Sequence, residues 1–288
     1  MAWTLAYETF EPEQEGLREA LTSTGNGYFC TRGAMEWADM SDVHYPGTYM
    51  HGGYNRATTM MAGRPVVNED LVNLPNWLVL KLRIEDDEPV TFDDIEILAY
   101  RHTYDIRYAL DTRTLTFRDY AGRITTLASR RFVSMADMHQ GALEWTVTPE
   151  NWAGRVEILS ALEGRVFNGG VARYRQLENH HLNAVYGRAT GPDNISLLMQ
   201  TRQSHIYIAE AARTRVYGHN EVIRTERRVH EVDGYIQQTL SFRVQEKQPV
   251  RIEKMVALYT SRDHAISEPL INAEHSARNH GEFEAAYQ

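Results

Sequence analysis

The feature that most constrains the fold is an alternation of apolar and polar side chains in Tyr235–Val244, YIQQTLSFRV. The apolar positions are Ile236, Leu240, Phe242 and Val244, and the polar ones are Gln237, Thr239, Ser241 and Arg243. This period of two is that of a half-buried antiparallel strand, because successive side chains point to opposite faces of a sheet. Val250–Thr260 repeats the pattern, with Lys254 as an exception. Both segments therefore predict strands.

Further strand-like segments are joined by closely spaced turns. They lie at residues 77–84, 115–120, 123–133, 142–148 and 155–162, and two more are predicted on either side of Gln203-Ser204. Ala121-Gly122 is typical of a hairpin turn, in which glycine supplies the unusual backbone conformation. Because helical periodicity is almost absent, the sequence predicts an all-β fold, an antiparallel two-sheet sandwich.

The last part of the chain has a different pattern. Ser267-Glu268-Pro269 is typical of a helix start, with a hydroxyl at the cap position and proline in the first turn. Residues 270–279 predict a short helix that is interrupted near Gly281. We expect the sandwich to occupy residues 1–260 and residues 261–288 to begin a helical linker.

Composition and charge narrow the class of protein. The 288 residues are 42% hydrophobic and 24% charged, which suffices for a core without metal or disulfide. A net charge of -9 argues against a non-specific nucleic-acid binder, which needs a basic surface. The first residues lack the basic and apolar regions of a signal peptide, and no apolar run approaches a membrane span of about 20 residues. We expect a cytoplasmic protein that binds neither nucleic acid nor membrane, in which the one cysteine, Cys30, is a small buried side chain.

The common signatures of catalysis and metal binding are missing from the sequence. The histidines have no recognised ligand spacing, and the adjacent His180 and His181 would point to opposite faces of a strand. Gly25-Asn26-Gly27 lacks the third glycine of a dinucleotide loop, so a tight turn is the simpler interpretation. Carboxylates are plentiful, but the sequence does not single out a catalytic pair. We therefore predict no catalytic residue, no metal site and no cofactor.

Two segments carry residue types that suit sugars, whose apolar ring faces and dense hydroxyls favour aromatic side chains beside amides. They are residues 46–56, PGTYMHGGYNR, and residues 72–77, VNLPNW. The candidate substrate-proximal residues are Tyr49, Tyr54, Asn55, Arg56, Asn73, Asn76 and Trp77. The alternative is that the aromatic rings fill the core and the amides cap turns, because sequence alone does not show whether a site is concave.

Five segments resemble glycoside hydrolase family 65, in the same order. They are STGNGYFCTRG at residues 23–33, PGTYMHGGYNR at 46–56, EDLVNLPNWL at 69–78, the long block at 130–182, and KMVALYTSRD at 254–263. The resemblance implies a galactose-mutarotase-like super-sandwich that precedes a helical linker and an (α/α)₆ catalytic barrel. It also implies that the sandwich is the part of such an enzyme represented here, with the catalytic Glu outside it and the chain inactive alone.

The activity that the resemblance implies is phosphorolysis of an α-linked glucose disaccharide to β-glucose 1-phosphate and glucose, with inversion and with inorganic phosphate as co-substrate. The implied partners are the barrel of the same protein, the disaccharide and a possible second copy in a homodimer. Three alternatives stay open: the same domain of an α-glucoside hydrolase, a stand-alone carbohydrate-binding sandwich, and a sugar epimerase of related fold. The epimerase would require a His and Glu pair on a concave face.

Overall fold

The computed structural model describes residues 3–169, 176–219 and 221–288 of the chain. Strands dominate these residues, and helices are short. The strands are β1 (Thr4–Tyr7), β2 (Thr24–Gly25), β3 (Phe29–Thr31), β4 (Thr48–Met50), β5 (Tyr54–Met61), β6 (Arg64–Leu71), β7 (Leu80–Ile84), β8 (Ile95–Asp105), β9 (Leu110–Asp119), β10 (Ile124–Val133), β11 (Gln140–Pro149), β12 (Gly154–Glu163), β13 (Leu182–Ala189), β14 (Asn194–Thr201), β15 (Tyr207–Gly218), β16 (Glu221–Val222), β17 (Glu226–Val232), β18 (Tyr235–Val244) and β19 (Val250–Thr260). The α-helices are α1 (Pro12–Leu21), α2 (Pro269–Asn279) and α3 (Phe283–Tyr287).

Two antiparallel sheets form the sandwich, which confirms the predicted fold class. The large sheet has the order β1-β8-β9-β10-β11-β19-β15-β14-β13, with β16 paired to β15, and the smaller sheet has the order β17-β18-β12-β7. Ile236, Leu240, Phe242 and Val244 of β18 all lie in the main core, as their alternation predicts. Gly122 turns the β9–β10 hairpin at a positive φ of 80°, a conformation that costs glycine little.

The predicted exception in β19, Lys254, lies inside this core. Its Nζ donates to the carbonyl oxygens of Val79 at 3.0 Å and Ala161 at 2.7 Å, so it joins the large sheet to the smaller one. Glu210, on the neighbouring strand, is also fully buried, and its carboxylate oxygens have no hydrogen-bond partner among the described residues. Burial raises the pKa of Glu210 well above its usual value and lowers the pKa of Lys254 to about 7.

The two C-terminal helices pack on the outer face of the large sheet. Ala273 and Ala277 of α2 contact a patch of small side chains on the sheet, formed by Ala209, Ala211 and Ala257. Phe283 of α3 is buried against Phe132, Ala142 and Met255. The helix predicted at residues 270–279 is confirmed as α2. The domain boundary at residue 260 stays a prediction, although both helices lie against the sandwich.

Helix α1 was not predicted, and its burial explains why. The residues that it buries are Glu15, Arg18 and Glu19, all charged. An amphipathic helix is normally recognised by an apolar stripe at a period of 3.6 residues, and α1 has none on its buried face. The structure therefore adds α1, and also the short helix α3, to the expected architecture.

Candidate functional site

Two adjacent clefts lie beside the segment between β3 and β4, and both are lined in part by Met40 and Phe167. We call the larger one, of about 1090 Å³, the tyrosine cleft. Its lining includes Arg32, His44, Tyr45, Tyr49, Phe167 and Asn179. The smaller one, of about 490 Å³, is the Asn76 cleft, lined also by Lys81, Glu163, Arg165 and Tyr235. Of the seven candidate residues, Tyr49 lines the tyrosine cleft and Asn76 lines the Asn76 cleft.

Hydrogen bonds give the tyrosine cleft a defined wall. The hydroxyl of Tyr49 donates to the hydroxyl of Tyr45 at 2.9 Å, and the backbone N–H of Gly169 donates to the same oxygen at 2.9 Å. Arg32 lies against the ring of Tyr45, with 5.3 Å between the guanidinium carbon and the ring centroid. It also donates from Nε to the carbonyl of Tyr45 at 2.9 Å. The cleft wall is therefore held by side chains from three separate segments of the chain.

Glu19 of α1 anchors the other side of this cleft. Its carboxylate is fully buried and accepts the backbone N–H of Tyr45 at 3.0 Å and a hydrogen bond from Nδ1 of His44 at 3.0 Å. Arg32 lies 3.4 Å from the same carboxylate. A buried carboxylate is stable only where donors or opposite charges surround it. Helix α1 thereby positions the His44–Tyr45 segment by burying a charge rather than an apolar side chain.

A buried charged cluster lies farther under α1, on the inner face of β8, β9 and β10. Its members are Glu36, His102, Asp111, Arg113 and Arg131. His102 donates from Nε2 to Asp111 at 2.5 Å, and Arg131 pairs with both Asp111 and Glu36. Burial alone would raise the pKa of Asp111, but the charge of Arg131, together with the interaction with His102, outweighs it and holds this pKa well below its usual range.

The charged cluster also holds the backbone of the loop that leads into the clefts. Arg131 donates to the carbonyl of Ala34, and Arg113 donates to the carbonyl of Gly33 at 3.2 Å. Burial and the nearby charge of Arg113 lower the pKa of His102. The acidic members of the cluster are paired, whereas Nε and Nη1 of Arg113 are buried without a hydrogen-bond partner among the described residues. The contacts that the cluster makes hold the loop in place.

Three candidate residues lie at the base of the β5–β6 hairpin. Asn55 is buried, and its Oδ1 accepts the backbone N–H groups of Gln203 at 2.9 Å and Ser204 at 3.0 Å. Arg56 forms an exposed ion pair with Glu69 at 2.7 Å. Tyr54 is half exposed and lines a shallow surface cleft with His205 and Arg262. This group is separate from the tyrosine cleft.

The last two candidates are inside the protein. Trp77 is 1% exposed, and its indole N–H donates to Oγ1 of Thr31 at 2.8 Å. Asn73 is equally buried; its Oδ1 accepts the backbone N–H of Thr48 at 3.0 Å, and its Nδ2 donates to the carbonyl of Phe167 at 3.2 Å. Both therefore support the walls of the clefts from within. Their proximity to a substrate stays a prediction.

The family of this chain is identified by a match over nearly its whole length. The description "Glycosyl hydrolase family 65, N-terminal domain" matches residues 5–288. This chain belongs to glycosyl hydrolase family 65. The matched range includes the sandwich, the clefts, and helices α2 and α3, and it confirms the resemblance that the five sequence segments carry.

Three curated proteins that are similar to this chain carry different names. An uncharacterized glycosyl hydrolase of Mycobacterium tuberculosis is 40% identical over 281 residues, covering 98% of this chain and 21% of that protein. A kojibiose phosphorylase of Caldanaerobacter subterraneus is 28% identical, covering 91% of this chain and 33% of that protein. A trehalose 6-phosphate phosphorylase of Lactococcus lactis is 30% identical, covering 90% and 32%. The chain thus spans between 21% and 33% of the length of these relatives.

A solved structure titled "Putative kojibiose phosphorylase from human microbiome" has the same fold. The TM-score is 0.81 at 15% identity, and the match covers 99% of this chain and 36% of that one. At this identity the likeness concerns the family 65 sandwich alone and says nothing about the substrate.

The structure assembles residues in the family 65 clefts that the sequence did not single out. In the sequence, His44 is one of the histidines without a recognised ligand spacing, and no motif singles out Glu19 or Tyr45. Glu19 and His44 are 25 positions apart, and the end of α1, the two short strands β2 and β3 and a loop lie between them. No periodicity or motif spacing links them, so only the fold could bring them together.

Neither a metal-binding group of side chains nor a membrane-spanning helix is found in the described part of the chain. Within residues 3–169, 176–219 and 221–288, no three His, Cys, Asp or Glu side chains are grouped so as to hold a metal ion. The helices in that part of the chain are too short or too polar to cross a membrane.

Proposed function

We propose that this chain is the N-terminal domain of an inverting α-glucoside phosphorylase. The proposed reaction is phosphorolysis of an α-linked glucose disaccharide to β-glucose 1-phosphate and glucose. The observation that carries the proposal is the match, over nine-tenths of this chain, to proteins named kojibiose phosphorylase and trehalose 6-phosphate phosphorylase. The proposed partners are the catalytic barrel of the same protein, the disaccharide, inorganic phosphate as co-substrate and a second copy in a homodimer.

The proposed division of labour assigns no catalytic residue to the sandwich. Cleavage of a glycosidic bond needs a carboxylic acid that protonates the leaving oxygen, while the attacking group approaches the opposite face of the sugar ring. Phosphate is already anionic and needs no general base. The buried carboxylates are bound to partners: Glu19, beside the tyrosine cleft, to His44 and Arg32, and Glu36 and Asp111, in the charged cluster, to Arg131. Such occupation supports a positioning role for them.

We place the contact with the barrel on the side of the sandwich that carries the two segments of sugar-suited residues. Tyr49 and Asn76 line clefts there, and Tyr54 is exposed at the hairpin base. In this proposal these three side chains shape the acceptor subsite of the parent enzyme. Asn73 and Trp77 hold the surrounding backbone, and Asn55 ties the hairpin to the turn before β15.

The second candidate is the same domain of an α-glucoside hydrolase, favoured by the name of the relative from Mycobacterium tuberculosis. Its parent enzyme would place a second carboxylate to activate water instead of binding phosphate. The two candidates differ in the barrel, so the sandwich alone does not choose between them.

The test is an assay of the full-length protein and of this chain in parallel, with and without inorganic phosphate. The substrates are kojibiose, trehalose, trehalose 6-phosphate, maltose and nigerose. The products measured are β-glucose 1-phosphate and glucose, with glucose 6-phosphate in place of glucose when the substrate is trehalose 6-phosphate. Phosphate-dependent release of β-glucose 1-phosphate by the full-length protein alone is the expected result. Glucose release without phosphate would favour the hydrolase, and activity of the 288-residue chain would overturn the assignment of catalysis to the barrel.

A further inference from the structure

The hydroxyl of Tyr45 has a donor that the protein leaves unused. A phenol oxygen accepts through two lone pairs and donates one proton. Both lone pairs are occupied, by the hydroxyl of Tyr49 and by the N–H of Gly169, each at 2.9 Å. The proton of Tyr45 therefore points away from both, and no acceptor for it is found among the described residues. Tyr45 lines the tyrosine cleft, so this donor is available to a ligand there.

His44 supplies the complementary acceptor. Its Nδ1 lies 3.0 Å from the buried carboxylate of Glu19, which can only accept, so Nδ1 carries the proton. In the neutral ring Nε2 is then an acceptor, because the partner of one ring nitrogen fixes the tautomer of the other. The side chain is 9% exposed and has no partner for Nε2 among the described residues. An almost buried imidazole, on a residue that lines the cleft, is thus held by Glu19 and keeps one acceptor without a partner among the described residues.

A donor and an acceptor on residues that line the same cleft match the hydroxyl groups of a sugar, each of which both donates and accepts. The cleft is also lined by the rings of Tyr45, Tyr49 and Phe167, which suit the apolar face of a pyranose. Its volume of about 1090 Å³ is enough for a disaccharide.

The charges at the cleft favour a neutral sugar over a phosphorylated one. Arg32 is the cation on the wall, and its guanidinium already donates to the carbonyls of Gly16 and Tyr45 and lies 3.4 Å from Glu19. Bidentate recognition of a phosphate by arginine uses two parallel N–H donors, and Nε and Nη2 of Arg32 are already engaged. Glu19 supplies a compensating negative charge instead.

We infer that the tyrosine cleft is a binding site for a neutral glucoside, formed entirely by the sandwich and recognised through the Tyr45 hydroxyl and Nε2 of His44. This site binds sugar without the catalytic barrel. Only the choice of glucosides as probes rests on the proposed function; the site itself is argued from the cleft.

The experiment is titration calorimetry of the 288-residue chain with glucose, kojibiose, trehalose, maltoheptaose and glucose 6-phosphate. Hydrogen exchange of residues 41–49 is measured with and without each sugar. We expect neutral glucosides to bind and to slow exchange in this segment, and glucose 6-phosphate to bind no more tightly than glucose. Tighter binding of maltoheptaose than of disaccharides would identify a glucan chain as the natural source of the glucoside.

Two variants test the recognition. Tyr45→Phe removes the free donor, and His44→Asn keeps an N–H close to Glu19 while it removes the Nε2 acceptor. Each should weaken binding about threefold to tenfold, as expected for one hydrogen bond. The control is Tyr120→Phe, the same chemical change at a side chain that is 85% exposed and donates to the carbonyl of Asp93.

Unchanged affinity in both folded variants would overturn the inference, as would preferential binding of glucose 6-phosphate. If circular dichroism shows that the variants are unfolded, hydrogen exchange of the unmodified chain decides, and absence of protection by any neutral sugar overturns the site. Phosphorolysis by the full-length protein with no binding to this chain would remove this inference and leave the proposed function intact.

Discussion

The inner face of the large sheet is covered in two ways. Opposite the smaller sheet it presents large apolar side chains, among them Trp145, Val147 and Ile252, each fully buried. Beneath α1 the same sheet presents the charged cluster, in which Arg131 and Asp111 are about as deeply buried. The two regions belong to one sheet, and β9 contributes to both through Phe117 and Asp111.

One region is apolar and the other is charged because they hold different parts of the molecule in place. A second sheet offers a flat apolar face, so burial of apolar area is sufficient to join the two layers. The loop after β3 offers backbone carbonyls instead, and those of Gly33 and Ala34 are met by Arg113 and Arg131. Apolar packing thus builds the scaffold, while buried charges give one loop a single position beside the clefts.

The largest expected effect comes from breaking the charged cluster. Arg131→Met leaves Asp111 and Glu36 buried without their main partner, which should lower the free energy of unfolding by about 3–5 kcal/mol. Denaturant unfolding measures the change. The control, Arg118→Met, breaks an exposed pair with Glu96 and should cost about 1 kcal/mol or less. Equal losses in the two variants would mean that burial does not distinguish the cluster from a surface pair.

A smaller effect is expected in the apolar region. Trp77→Phe removes the hydrogen bond to Thr31 and part of a fully buried ring, so we expect a loss of about 1–3 kcal/mol in unfolding free energy. The matched control is Trp3→Phe, at a side chain that is 55% exposed, with a change within about 0.5 kcal/mol. A neutral Trp77→Phe combined with a raised KM would assign Trp77 to the substrate and contradict a packing role.

The charged region should also make the fold sensitive to acid. Burial lowers the pKa of His102, so the folded state binds protons less readily than the unfolded chain. The stability from neutral His102 is fully present above its unfolded pKa of about 6.5 and is lost as pH falls toward the folded pKa. His102→Asn should reduce the slope of unfolding free energy against pH below that value, by up to about 1.4 kcal/mol per pH unit. An unchanged slope in the folded variant would contradict this assignment.

The smallest effect on stability is expected outside both regions. Tyr54→Ala alters a half-exposed side chain, so unfolding free energy should change by about 0.5 kcal/mol or less. In the full-length protein the same change should raise the KM for the acceptor sugar in the synthetic direction. Kinetics with an unchanged acceptor KM would count against a part for the hairpin base in the acceptor subsite.

The sequence predicted the elements whose burial is apolar on one face. Strand β18 has the bounds that its alternation indicated, and the turn at Gly122 and helix α2 also lie where the pattern placed them. The same reasoning missed α1, because its buried face carries Glu15, Arg18 and Glu19. Side-chain periodicity reports apolar burial, and charge pairs leave no such period.

In the candidate site, too, the sequence showed the residue types but not the contacts between them. Residue type pointed to two segments that contribute Tyr49 and Asn76 to the clefts, yet it could not separate Tyr49, in a cleft wall, from Trp77, inside the core. It also could not join Glu19 to His44, or Lys254 to Val79 and Ala161. The sequence by itself determined the family and those strands that carry a clear apolar pattern, since these depend on local period and residue order. Only the tertiary structure decided which polar groups are paired and which stay open to a ligand, because that depends on contacts between residues far apart in the chain.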